Sequence, residues 1–222
     1  MKLIAKFSSL FTSLIAVFIV SNIERPYDNH QSLPFYQTPW ITWEERVFER
    51  SLKNLQKHGS LYEKSLKNKI TQLISGYKTG LQKGHLDNLP DQIIHESKKY
   101  GYDPLFLAAV IITESSFNNW ARSNKGALGL MQIRPATGKE LASETHIKWE
   151  GQPTLFDPIT NIALGAYYLN KLVLRFDDLG LALEAYNHGP SKLNRYLRKG
   201  YQPKRYSQKV FLNYNWLRFP SV

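Results

Sequence analysis

The sequence predicts an all-α protein, and three observations predict it. Past residue 42, apolar residues recur at the three- and four-residue spacing of helix faces. Helix-start signals stand where those stripes begin, above all Asp103-Pro104, with Asp suited to the N-cap and Pro to the first turn. No stretch alternates apolar and polar residues with the period of two that a half-buried strand requires, and no internal repeat is present.

Taken in order, Lys2 and Lys6 precede "FSSLFTSLIAVFIV" (residues 7–20), which is short for a bilayer span of ~20 residues but suited to a secretory signal. Residues 1–21 are therefore expected to be a signal peptide or a signal anchor. Ser21 is small but Ile19 is not, so cleavage and retention in the inner membrane both stay open. The chain beyond is expected outside the cytoplasm, periplasmic or anchored facing the periplasm. Residues 22–40, rich in Pro and polar groups, read as a linker.

Residues 41–88 carry two stripes: Trp43, Val47, Phe48, Leu52 and Leu55, then Leu66, Ile70, Leu73, Ile74, Tyr77 and Leu81. With Gly59 between them, they predict an N-terminal helical hairpin, an accessory segment that packs on the downstream domain and does no chemistry. After Leu89-Pro90 a short helix is expected over 91–100, opening a catalytic domain that spans 89–222. "LFLAAVIITE" after Asp103-Pro104 is apolar all round and predicts the central buried helix. Further helices are expected from "PATGKELAS", over residues 161–176 and 179–187, and through about 206–216.

Composition narrows the chemistry. With no cysteine, disulfides and thiolate metal sites are excluded. The six histidines are scattered, so no metal and no cofactor are expected. The net charge of +11 sits in the flanks: residues 189–222 hold eight Lys/Arg and no acid, whereas residues 86–188 hold nine against twelve. A nucleic-acid binder concentrates charge on its recognition element, and an exported chain has no nucleic acid to meet. The basic flanks fit an anionic polymer or membrane surface, or simply a solvated face.

Glu114 poses the chemical question. It ends the apolar helix, where the helix dipole is negative and burial disfavours charge; both effects raise a carboxyl pKa toward what a general acid needs. A frayed, exposed glutamate is the plain alternative. Beyond it, Gly126 and Gly129 let backbone approach a ligand, Met131 offers an apolar wall, and Gln132 brings an amide suited to sugar hydroxyls and acetamido groups. Tyr186 and Asn187 stand at a helix end.

These residues carry a resemblance. "ITESSF", "NKGALGLMQIRPATG", "AYNHGP" and "RYSQKV", in that order over about residues 90–215, resemble the soluble-type lytic transglycosylase family (the SLT domain), lysozyme-like relatives of goose-type lysozyme. The resemblance implies that Glu114 is the single catalytic acid/base and that Ser115 supports the substrate or the acid. It implies that Gly129, Leu130, Met131 and Gln132 line a glycan groove, with Gln132 a sugar contact. Tyr186 and Asn187 would flank the scissile bond, and Tyr206 would be a late cleft tyrosine. His188 departs from the small residue usual beside that pair, so the cleft edge is expected to differ.

The implied reaction cleaves the β-1,4 bond between N-acetylmuramic acid and N-acetylglucosamine of peptidoglycan and leaves 1,6-anhydro-muramic acid ends. Partners implied are glycan strands and, beyond them, some envelope machinery. Two rivals stand beside this: a hydrolytic muramidase of the same fold, which needs a second acid such as Asp157, Asp177, Asp178 or Glu184, and a non-catalytic peptidoglycan-binding envelope protein.

Overall fold

The computed structural model describes residues 43–219, with side chains from residue 59 onward. The signal segment, the linker and the side chains of the first stripe lie outside the described residues. The chain divides into two units, 1–50 and 51–222, and the second holds the buried core.

Eight helices make up the described residues: α1 (Trp43–Ser75), α2 (Lys83–Lys99), α3 (Pro104–Ser115), α4 (Pro135–Glu144), α5 (Pro158–Phe176), α6 (Leu179–His188), α7 (Pro190–Arg198) and α8 (Arg205–Arg218). A 3₁₀ turn (Gln152–Phe156) precedes α5, and isolated bridges join Arg122 to Leu128 and Leu128 to Ile133. The all-α expectation holds.

α3 is the centre. Leu105, Phe106, Leu107, Ala108, Ala109, Val110 and Ile111 are all buried, as an apolar helix without a polar face must be. It packs against α2 and α8, while α5 and α6 pack on each other and α6 also reaches α8. Asp103 caps α3 by accepting from the Leu105 N–H at 2.8 Å, Asp157 caps α5 through Thr160, and Asp178 caps α6 through Leu181. Each such cap stabilises by about 1 kcal/mol. The structure thus assigns Asp157 and Asp178 to helix starts.

Two boundaries differ from those the sequence predicts. The expected hairpin over 41–88 is instead one continuous 33-residue helix running through Gly59. A lone exposed glycine costs about 1 kcal/mol against Ala, too little to break a helix whose Leu66, Ile70 and Ile74 are buried in the core. Tyr77 and Leu81, placed on the second stripe, come after the helix in a loop yet still pack on the core. Likewise α2 begins at Lys83 and carries Pro90 within it. The missing N–H is offset because Leu89 and Pro90 are both buried.

Two measurements check this segment. Gly59 has open space around a would-be Cβ, so Gly59→Ala should raise the unfolding free energy by up to about 1 kcal/mol; a loss would indicate a chain break there. Ile70→Ala should cost about 2–5 kcal/mol in urea denaturation, and a cost near zero would detach α1 from the core.

Candidate functional site

The site forms where α3 ends. Ser116 and Phe117 adopt left-handed backbone (φ 50° and 58°), which turns the chain sharply after Glu114 into the segment 118–134. Glu114 faces a pocket of about 530 Å³, lined also by Ser123, Asn124, Lys125, Ala127, Gln132, Arg134, Tyr186 and Asn187. A second pocket of about 240 Å³ shares Lys125, Gln132, Arg134, Tyr186 and Asn187 and extends to Tyr168 and His188. His188 therefore stands at the cleft edge.

Burial raises the Glu114 carboxyl from its usual 4.5 to about 7, against the opposing pull of the Tyr206 hydroxyl and the Lys209 ammonium. The Tyr206 hydroxyl donates to Glu114 Oε1, and burial holds the Tyr206 proton well above its ordinary range. Tyr206 is thus a donor to the acid. It is one of the residues that the sequence places in the cleft, and it reaches Glu114 from α8.

The segment 128–132 is fixed from three sides. Asn161, fully buried on the first turn of α5, accepts from the Met131 N–H (2.7 Å) and donates to the carbonyls of Leu128 (3.1 Å) and Leu155 (2.8 Å). Ser115 Oγ donates to Leu130 O at 2.7 Å, and the Tyr186 hydroxyl donates to Met131 O at 2.8 Å. Gly129 (φ 77°) has no room for a side chain, since a Cβ would lie 2.2 Å from Leu155 O and 2.3 Å from Asn161 Nδ2. Gln132 (φ 49°) gives both amide hydrogens to the carbonyls of Ala121 and Gly129. Its carbonyl oxygen is what it offers the pocket.

The nine site residues therefore sort by position. Glu114, Gln132, Tyr186 and Asn187 line the pocket, and Tyr206 touches Glu114. The side chains of Leu130 and Met131 do not line it: both are fully buried, and Met131 presses on Gly165 of α5. An apolar wall there belongs to the core because the loop turns inward to reach Asn161. Ser115 and Gly129 shape the loop rather than the pocket surface. Among the described residues, no group of three His, Asp or Glu is disposed to hold a metal.

Glu184 faces neither solvent nor groove. It is 1% exposed, and its Oε1 accepts from the backbone N–H (2.8 Å) and hydroxyl (2.9 Å) of Ser207 at the start of α8. Its Oε2 lies 3.5 Å from His188 Nε2, and burial lowers the pKa of that imidazole. Asn161 escapes sequence reasoning because its amide looks like any other on a helix face. Asn124, Lys125 and Arg134 escape it too, since their pocket positions depend on loop geometry.

Comparison with known proteins bears on the same residues. The profile of the family described as "Transglycosylase SLT domain" matches residues 91–209. The chain is 39% identical over 121 residues to a transglycosylase of Enterobacteria phage PRD1, covering 54% of this chain and 41% of that one. It is 37% identical over 140 residues to membrane-bound lytic murein transglycosylase C of Cronobacter sakazakii, covering 60% and 37%. Among solved structures, the 70 kDa soluble lytic transglycosylase of Escherichia coli superposes with a TM-score of 0.53 at 25% identity, over 58% of this chain and 24% of that one. The chain thus spans less than half the length of these relatives. The matched stretch exceeds half of the chain and runs from α2 through the pocket to Lys209 on α8, and on that match this protein belongs to the transglycosylase SLT domain family.

Proposed function

We propose that this protein is a peptidoglycan lytic transglycosylase of the cell envelope, exported by its N-terminal segment, with Glu114 as acid and then base. One observation carries the reading: among the described residues, Glu114 is the one carboxylate lining the pocket, and burial raises it to about 7. A carboxyl with that proton affinity holds a proton near neutral pH and can also release it.

Glu114 protonates the glycosidic oxygen as the C1–O bond breaks. The resulting carboxylate then takes the proton of the muramic acid C6 hydroxyl as that oxygen closes on C1. The Tyr206 hydroxyl, donating to the same carboxyl, steadies it in the ionised half of the cycle. Gln132 and Asn187 supply polar contacts to the sugars, and Lys125 and Arg134 bring positive charge to a polymer that carries carboxylates.

Hydrolysis by the usual route needs a second carboxylate, about 5–5.5 Å away to act as nucleophile or ~6.5–9.5 Å away to activate water. Glu184 is committed to Ser207, Asp157 and Asp178 to helix caps, and Asp177 ends α5 without lining the pocket. An intramolecular hydroxyl with a large effective concentration replaces the missing base-and-water pair. Family membership and the "lytic murein transglycosylase" name of the Cronobacter relative support the same substrate class.

Digested peptidoglycan should show 1,6-anhydro-muramic acid ends by mass spectrometry, each lighter than the hydrolysed form by one water. Glu114→Gln should abolish them, lowering turnover by ~10²–10⁴-fold or more. Predominantly reducing-end muramic acid would make the protein a muramidase instead.

The raised carboxyl also sets the pH response. Glu114 must be protonated to act as acid, so kcat/KM should be flat below pH 7 and fall above it. Between pH 4.5 and 7 the folded chain keeps a proton that the unfolded chain has released, so this group's contribution to stability is lost as pH rises through that window. Glu114→Gln removes the penalty: at pH 8 the variant should be more stable than wild type, by about 3 kcal/mol at most, and melt at higher temperature. It should match wild type near pH 4. Equal melting differences at both pH values would contradict the assignment.

A further inference from the structure

Outside the catalytic pocket, a cavity of about 450 Å³ is lined by Trp120, Arg122, Gln152, Pro153, Phe156 and Asp157. Trp120 is 57% exposed, and yet it is held in place. Its ring stacks on Phe156 (centroids 5.2 Å apart, planes 30°), and its indole N–H donates to Gly80 O at 2.9 Å. Gly80 itself (φ 69°) leaves no room for a side chain, since a Cβ would lie 2.6 Å from the indole ring. Asn119 beside it is buried and donates to Phe156 O at 2.8 Å, which ties the two aromatic residues' backbones together. A large exposed ring ordinarily loses rotamer freedom when it binds; here that freedom is already gone.

We propose that the Trp120–Phe156 platform is a second saccharide site, which takes a sugar ring of the peptidoglycan strand outside the catalytic pocket; this rests on the glycan reading above. A pyranose has an apolar C–H face and a rim of hydroxyl and acetamido groups. The platform matches both parts. Its aromatic surface takes the face, and around it stand donors on Arg122, an acceptor on Asp157 and both on Gln152. Arg122 lies over the Phe156 ring at 4.7 Å, and among the described residues no carboxylate forms an ion pair with it. Asp157 spends Oδ1 on the α5 cap, which leaves its other oxygen for a ligand.

Position supports the same occupant. The segment 121–123 is a shared wall: Ser123 lines the catalytic pocket and Arg122 lines the platform, while Ala121 O accepts from Gly129 N and from Gln132 Nε2. A polymer threaded past Glu114 has its continuation, or a neighbouring strand, within reach. A second grip of this kind raises affinity for the polymer without changing the chemistry at Glu114.

The test uses the full chain carrying Glu114→Gln, so that nothing is cut. Sedimentation with purified sacculi should show about tenfold weaker binding for Trp120→Ala and at least threefold weaker binding for Arg122→Gln, which leaves the indole in place. Titration with chitotetraose should shift the indole N–H resonance of Trp120, identified by its absence in Trp120→Phe. That shift should persist when Asn187→Ala weakens the catalytic pocket. An unmoved resonance, a shift lost with Asn187→Ala, or sacculus affinities of both platform variants within twofold of the parent would overturn the inference. These readouts stand whether or not the otherwise wild-type chain cleaves sacculi. Where it does, Trp120→Ala must slow sacculus digestion and leave turnover of a short soluble glycan unchanged; equal losses on both would also overturn it.

Discussion

The cleft depends on one requirement: the buried backbone of residues 128–132 must find hydrogen-bond partners. Three helices supply them through side chains, Ser115 from α3, Asn161 from α5 and Tyr186 from α6. Because Ser115 adjoins Glu114 and Tyr186 lines the pocket, the bonds that satisfy the loop also set the distance between the acid and the opposite wall. Asn161 is the central member. Its single amide answers three backbone groups in a region where each unpaired one would cost about 1–3 kcal/mol. Gly129 is a consequence, since the approach of that amide excludes any side chain.

The same economy appears in α3. A helix buried over Leu105 to Ile111 is the natural core of a small domain, and its last turn, Ile112 to Ser115, is only partly exposed. Placing a carboxyl there requires no dedicated apolar pocket. Tyr206 and Lys209, both from α8, oppose the burial and keep the proton affinity near neutrality rather than far above it. α8 is in turn fixed at its start by Glu184 through Ser207. A second carboxylate thus serves the site structurally, by holding Ser207, the neighbour of the tyrosine that meets Glu114.

Much of this was legible in the sequence, and the limits have physical causes. Asp103-Pro104 and the apolar run specify α3 with its cap, because capping and hydrophobic period are local. Glu114 stands out by its place at the end of that run. Gly59 and Pro90 mislead because their intrinsic costs are about 1 and 3 kcal/mol, amounts that burial of Ile70, Ile74, Leu89 and Pro90 outweighs. Leu130 and Met131 are read onto the groove because adjacency in sequence does not reveal which way a loop faces. Glu184 lies two residues from Tyr186, a spacing that on a helix points the two side chains to different faces. Its partner Ser207, 23 residues away, depends on tertiary packing that no local pattern encodes.

Burial as the source of the raised carboxyl has a consequence for ionic strength. Dissolved salt screens charges across solvent over ~8–10 Å at physiological concentration, but it does not restore the water that the protein around Glu114 displaces. The part of its raised proton affinity that comes from burial is therefore insensitive to salt, whereas the opposing pull of the Lys209 ammonium is not. On the proposed function, the attraction of the basic residues of 189–222 to an anionic polymer fades as ions are added. Salt accordingly divides the two halves of the work. On the proposed function it loosens the encounter with the wall far more than it alters the acid at Glu114, so a dilute and a concentrated surrounding meet a similar acid and a different grip.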